Sequence, residues 1–266
     1  MTSTIRTALL AATAFSLGSV AIAPAAFAGA TTILQAEESI NAPYNDLLAK
    51  YLSEKDGIHL FDYGAVTDED RAKLGAYVEA LQTLKPSQMS RNDAIAYWAN
   101  LYNAKTLEII IDNYPVDSIR DIGGNFIQKG PWREKVVTVE GKEMSLDNIE
   151  HDTVRANFDE PRIHYAFNCA SIGCPNLMAR AWEGATLDED LDAGGRAYIS
   201  HPRGIRVEGN RVIASSIYKW FSEDFGDNDA EVLDHIRQYA TGDKLAALEG
   251  KTRINKYEYD WSLNDK

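Results

Sequence analysis

The predicted helix at residues 97–104 most constrains how this chain can fold, because nearly every side of it is apolar or aromatic. A helix that is apolar all around lies inside a protein core rather than on its surface. Ser90 and Asp93 have the spacing of a helix-capping pair and predict where this helix begins, and Pro115 marks its end. We therefore expect a fold built around one buried central helix.

The rest of the chain predicts helices interleaved with short hairpins. Helices are expected at 44–52, 67–85, 145–158 and 230–239, with a further one after Thr186, and hairpins at 135–144 and 205–214. Short apolar runs at 58–63 and 162–169 predict single strands. Because helices and strands do not alternate one for one, the pattern favours an α+β fold with short antiparallel hairpins over a doubly wound sheet.

The amino-terminal 28 residues have the three parts of a secretory signal peptide. Arg6 supplies the positive charge, residues 7–23 carry no charge and are mostly apolar, and Ala26-Phe27-Ala28 is a small-x-small cleavage site. We expect cleavage before Gly29, then a leader at 29–43 and a single globular domain at 44–266. The predicted location is the periplasm or the medium, without a lipid anchor because no cysteine lies at the cleavage point.

Charge and hydropathy exclude some partners. The 266 residues include 40 Asp and Glu against 27 Lys and Arg, a net charge of −13. Nucleic acids and anionic membranes select basic surfaces, so neither is an expected partner. No segment after the signal peptide is long and apolar enough to span a bilayer. An unidentified small molecule or peptide remains the expected ligand, and no cofactor is predicted.

Two carboxamides lie on the central helix. Asn100 and Asn103 are three residues apart and therefore share one helix face. A buried carboxamide that lacks hydrogen-bond partners costs about 1–3 kcal/mol, so both side chains need partners. Either they bind loops that cross this helix, or they line a functional site.

A second segment gathers groups that perform nucleophilic chemistry. Both cysteines and two of the five histidines lie within residues 151–174, next to Glu150. A thiol beside an imidazole is the arrangement of a cysteine nucleophile. Cys174 precedes a proline, and as the N-cap of a helix its thiol would have a lowered pKa. On a strand, His164 and Cys169 would face opposite sides, which leaves His151 as a rival base.

Three other interpretations of the same residues stay open. In an oxidising compartment, Cys169 and Cys174 are typical partners for one disulfide. Two Cys and two His could together bind zinc, although their spacing matches no standard zinc motif. The histidines could also be core residues whose ring nitrogens are hydrogen-bonded.

Four stretches of the chain resemble the domain-of-unknown-function 547 family. They are Trp98–Ala104, Tyr114–Ile122, Ser145–His151 and Arg162–Pro175, and 219–225 fits the carboxyl-terminal part of the family. The resemblance covers a core of about 94–240. It implies a fold family, found in bacteria and plants, whose biochemical role is largely unassigned.

Two functional hypotheses follow. The first is a Cys/His-dependent hydrolase of amides or thioesters: Cys174 or Cys169 is the nucleophile and His151 or His164 the base. Glu150, Asn100 or Asn103 would orient the base or bind the oxyanion. The second is a non-catalytic binding or scaffold domain in which Cys169 and Cys174 form a disulfide.

Overall fold

A computed structural model describes residues 39–124 and 129–266, beginning with helix α1 at Ala42–Tyr51. The chain then turns directly into a two-stranded antiparallel sheet, β1 at Leu52–Lys55 and β2 at Ile58–Phe61. The sequence predicts only the second of these strands. The predicted signal peptide at 1–28 lies outside the described residues, as do residues 29–38 of the predicted leader.

Helices α2, Asp68–Gln82, and α3, Arg91–Asn113, form the centre of the fold. The Ser90 hydroxyl accepts a hydrogen bond from the Asp93 N–H at 3.2 Å, which confirms the predicted cap of α3. Fifteen residues of α3 are buried. The central helix is thus buried as its all-round apolar pattern indicates, and its buried polar residues Asn100, Asn103 and Thr106 are hydrogen-bonded inside the core.

The next hairpin, β3 at Val137–Val139 and β4 at Lys142–Met144, confirms the predicted turn at 140–141. A helical segment follows, and its residues Asn148–Arg155 form a π-helix rather than a regular α-helix. Hydrogen bonds from residue i+5 to residue i widen such a turn, and π-helical turns are frequent at functional sites. We call Asn148–Arg155 the π-helical segment.

Two local predictions for the segment after it are wrong. Residues Pro161–Tyr165 form a 3-10 helix, not part of a strand, because Pro161 fixes the first turn and Glu160 accepts a hydrogen bond from the Arg162 N–H. The opposite-face argument for His164 and Cys169 therefore does not apply. Residues 175–186 form no helix, so the Cys174 thiol is not a helix N-cap.

The carboxyl-terminal half comprises α4, Leu187–Ser200, and a three-stranded sheet. The sheet pairs β5, Ile205–Glu208, antiparallel with β6, Arg211–Ser215. Four helices follow: α5, Ile217–Trp220; α6, Ser222–Phe225; α7, Asp229–Tyr239; and α8, Gly242–Leu248. Strand β7, Lys256–Glu258, then adds to β6 in parallel and is not indicated by the sequence pattern.

The buried apolar residues form two clusters within one compact unit, Glu38–Lys266. The larger surrounds α2 and α3, and the smaller lies between α4, α7 and the three-stranded sheet. Short strand pairs among many helices confirm the α+β class. Within 39–124 and 129–266, every helix is too short or too polar to traverse a lipid bilayer.

Candidate functional site

A cavity of about 180 Å³ brings most of the candidate residues together, and we call it the aromatic cavity. Half of its described lining is aromatic: Tyr102, Trp132, Phe167, Trp220, Phe221, Tyr259 and Trp261. The other lining residues are Asp147, Glu150, His151, His164, Cys169, Cys174 and Ile217. Concave, mainly apolar pockets with a few polar groups are the usual form of a small-molecule site.

Cys169 and Cys174 are joined by a disulfide in the wall of this cavity. The Tyr259 hydroxyl oxygen lies 3.1 Å from each sulfur atom and 2.9 Å from the Ser171 hydroxyl. The Cys169 N–H donates to the Cys174 Sγ over 3.0 Å. With both sulfurs bonded to each other, neither thiol is available as a nucleophile in this state.

The carboxyl-terminal segment supplies Tyr259 and Trp261 because it lies directly against the disulfide loop. The Gly173 N–H donates to the Asp260 carbonyl at 2.8 Å. A Cβ at residue 173 would lie 2.8 Å from that carbonyl oxygen, closer than a carbon atom can approach. Only glycine permits this contact, so Gly173 sets how closely the aromatic side chains approach the cavity.

The π-helical segment presents Glu150 and His151 to the cavity. Glu150 is 9% exposed, and its Oε1 lies 3.7 Å from the Nδ1 of His164. Burial, and then the nearby charge of Asp147, raise the pKa of Glu150 to about 7. A carboxyl group with this pKa exchanges protons near neutral pH, which suits it to binding or acid–base chemistry.

His164 is held by Asp224. The Nε2 of His164 lies 2.6 Å from the Oδ2 of Asp224, and the imidazole stacks on Phe221 with ring centres 4.1 Å apart. Burial opposes the charge on Asp224, but hydrogen bonds from His164 and Arg155 outweigh it and lower the pKa of this carboxyl. Burial also lowers the pKa of His164. A neutral His164 therefore donates through Nε2 and keeps its lone pair on Nδ1.

The two ring nitrogens of His151 have roles opposite to those of His164, since its Nδ1 accepts a hydrogen bond within the protein. Arg155 donates from Nη1 to the Nδ1 of His151 at 3.0 Å, and a guanidinium can only donate. Burial lowers the pKa of His151, so the neutral ring carries its proton on Nε2. His151 is thus a hydrogen-bond donor at the cavity, while the accepting nitrogen of His164 lies near Glu150.

The two carboxamides of α3 are used inside the core. Asn103 donates to the Ala166 carbonyl at 2.9 Å and accepts from the Asn168 N–H at 2.8 Å. Asn100 makes the equivalent pair of bonds to the backbone of Trp182, at 2.9 and 2.8 Å. Neither lines the aromatic cavity. Both anchor loops to the central helix, and Asn103 anchors the loop that leads to Cys169.

Several residues of the site are absent from the sequence-based candidates. Asp224 lies in the 219–225 stretch that fits the family, but its spacing from His164 gives no signal of their pairing. Tyr259 and Trp261 lie beyond the family-like core, where only their aromatic character could have drawn attention. Within 39–124 and 129–266, no three His, Cys, Asp or Glu side chains converge as metal ligands.

The comparisons with known proteins give a family but no activity. Residues 86–199 match the family model described as "Protein of unknown function, DUF547". No curated protein and no solved structure matches the chain. The matched range contains α3, the π-helical segment and the disulfide loop, in agreement with the resemblance of the sequence motifs. Residues 86–199 of the chain therefore form a DUF547 domain.

Proposed function

We propose that this protein is an exported small-molecule-binding domain whose aromatic cavity is the binding site. The observation that carries the proposal is the lining of the cavity, where seven aromatic rings surround a few polar groups. Burying an apolar ligand surface against such walls contributes about 25 cal/mol per Å². The Cys169–Cys174 disulfide acts here as a staple that fixes the loop under the ligand.

The tryptophans provide a direct assay. Three of the five, Trp132, Trp220 and Trp261, line the cavity, so ligand binding changes tryptophan fluorescence. Small organic fragments are titrated while fluorescence and melting temperature are recorded. We expect saturable binding that raises the melting temperature. Trp220→Leu should weaken binding, whereas Trp98→Phe, on the central helix outside the cavity, should leave it intact. If no fragment binds, the proposal fails.

Export is the second part of the proposal, and it rests on the signal-peptide pattern at 1–28. The test is expression of the full chain in a Gram-negative bacterium, followed by fractionation and intact-mass measurement. We expect the periplasmic or secreted protein to begin at Gly29. Recovery of the uncut chain in the cytosol alone would overturn this part without affecting the binding site.

A second candidate function, a thiol-dependent hydrolase of amides or thioesters, is favoured by the surroundings of Cys174. Its Sγ lies near two donors, the Cys169 N–H and the Tyr259 hydroxyl, at 3.0 and 3.1 Å. After reduction by a dithiol, such donors favour a thiolate. His164 would take the proton of the Cys174 thiol through Nδ1, and the thiolate would attack the substrate carbonyl carbon. The amine or thiol would leave with that proton, and water would then hydrolyse the thioester formed with Cys174.

Iodoacetamide labelling separates the two functions. The hydrolase requires reactive thiols once the disulfide is reduced, and Cys174 should then label faster than Cys169 at neutral pH. Cys174→Ala should abolish hydrolysis of a model thioester, and Cys169→Ala should preserve it. Protein that contains only disulfide when isolated, and that hydrolyses no thioester after reduction, would eliminate this candidate.

A further inference from the structure

The charged side chains in the described lining of the aromatic cavity are carboxylates. Among its described lining residues, the carboxyls of Asp147 and Glu150 are the only acidic groups, and no lysine or arginine is present. Asp147 is already paired, since its Oδ2 lies 3.3 Å from the Nε of Arg133. The lining therefore favours positive charge, and Glu150 is the carboxyl that a ligand can pair with.

Glu150 is buried without a cationic partner. In the described part of the chain, no lysine or arginine nitrogen lies within 4.0 Å of its carboxylate. The one basic group at that range is His164, at 3.7 Å, and burial lowers the pKa of that imidazole. A buried carboxylate without a compensating charge is costly, so a cation that enters the cavity supplies what this group lacks.

Two tryptophan rings in the cavity lining, Trp132 and Trp220, can attract a cationic ligand. Arg120 lies 5.0 Å from the ring centre of Trp261, and Arg155 lies 5.0 Å from that of Phe221. Within 39–124 and 129–266, neither Trp132 nor Trp220 has a lysine or arginine over its ring. Tryptophan faces are the best aromatic acceptors of an organic cation.

We propose that the ligand of the aromatic cavity is a compact organic cation, an amine or quaternary ammonium compound with a small apolar body. This inference rests on the proposed binding function and names the class of ligand. The positive group pairs with Glu150 and lies against Trp132 and Trp220, and the apolar part fills the rest of the cavity. Quaternary ammonium groups suit such sites because they are weakly hydrated and attracted to ring faces.

The test compares two ligands of equal shape. Choline and its neutral carbon analogue, 3,3-dimethylbutan-1-ol, are titrated into the full mature protein by calorimetry. We expect choline to bind about tenfold more tightly or better, as a desolvated cation–π and carboxylate contact predicts. Glu150→Gln should remove most of this preference. Glu143→Gln, which neutralises an exposed carboxylate on β4, should preserve it and so controls for the acidic surface.

Proton release on ligand binding gives a second readout. Burial and Asp147 raise the pKa of Glu150 to about 7, Asp224 also raises it, and Arg155 and Tyr102 oppose them. A bound cation favours the ionised carboxylate, so choline binding near neutral pH should release a fraction of a proton. Calorimetry in two buffers of different ionisation enthalpy measures this release, which should vanish in Glu150→Gln.

The outcomes are distinct. Equal affinity for choline and the alcohol overturns the cation inference and leaves the binding function standing. A preference for choline that survives Glu150→Gln overturns the pairing of the cation with Glu150. If neutral fragments bind and choline does not, the cation inference is likewise overturned and the binding function stands. Failure of every fragment, choline included, overturns both proposals.

Discussion

The Oδ2 of Asp224 lies 2.6 Å from the Nε2 of His164 and joins two segments 60 residues apart. The same carboxylate accepts from the Nε and Nη2 of Arg155, on the π-helical segment. Asp224 therefore fixes both the orientation of the buried imidazole and the position of the segment that presents Glu150. The carboxylate of Asp224, a partly exposed side chain, thus organises the polar half of the aromatic cavity.

Asp224→Asn should lower the free energy of unfolding by about 2 kcal/mol or more, because one amide N–H group must then face a donor of His164 or Arg155. Chemical denaturation measures this change. Glu223→Gln is the matched control, since that side chain is 78% exposed and forms one ion pair with Arg155. Its effect should stay within about 0.5 kcal/mol. Equal effects of the two substitutions would contradict the organising role of Asp224.

Glu150 should make the protein less stable as the pH rises. Its pKa is raised from 4.5 to about 7, so the folded state holds a proton that the unfolded state has released over that range. The contribution of Glu150 to the free energy of unfolding should therefore fall between these two pH values, whereas His151, His164 and His235, whose pKa values burial lowers, act in the opposite direction. Glu150→Gln should be more stable than the natural protein above neutral pH, by up to about 3 kcal/mol.

Denaturation curves across this pH range measure the effect, with Glu143→Gln as the control. The carboxyl of Asp224 acts in the opposite direction and only in more acidic solution, because its pKa is lowered. Parallel stability curves for the natural protein and Glu150→Gln would refute the assignment.

Reduction of the disulfide should lower the free energy of unfolding by about 2 kcal/mol, since the closed loop is short and its closure entropy is modest. Urea unfolding with and without reductant measures this cost. The double variant Cys169→Ala and Cys174→Ala should be insensitive to reductant. An isolated protein with two free thiols by mass spectrometry would show that the bridge does not form.

Asn103→Leu should destabilise the protein by about 2–4 kcal/mol, because it leaves the Ala166 carbonyl and the Asn168 N–H buried without partners. Asn113→Ala, at the exposed end of the same helix, should change stability by less than about 1 kcal/mol. Thermal or chemical unfolding distinguishes the two. A cost for Asn103→Leu no larger than that for Asn113→Ala would contradict the anchoring role of Asn103.

Local signals predicted some elements well and others poorly. The capping pair at Ser90 and the all-round apolar pattern of α3 predicted the central helix, because caps and periodicity are local properties. The run at 162–169 failed because a short apolar segment fits either a strand or a buried turn. Pro161 and the cap from Glu160 decided in favour of a 3-10 helix.

The sequence by itself determined the main helices and hairpins, the buried helix, the acidic balance and the clustering of Cys, His and Glu within residues 150–174. Tertiary structure alone decided how these groups are used. Asn103 bonds a loop, His164 pairs with Asp224, and the two cysteines pair with each other. The physical reason is that a side chain's role depends on its partners and its exclusion from water, and those partners come from segments distant in the chain.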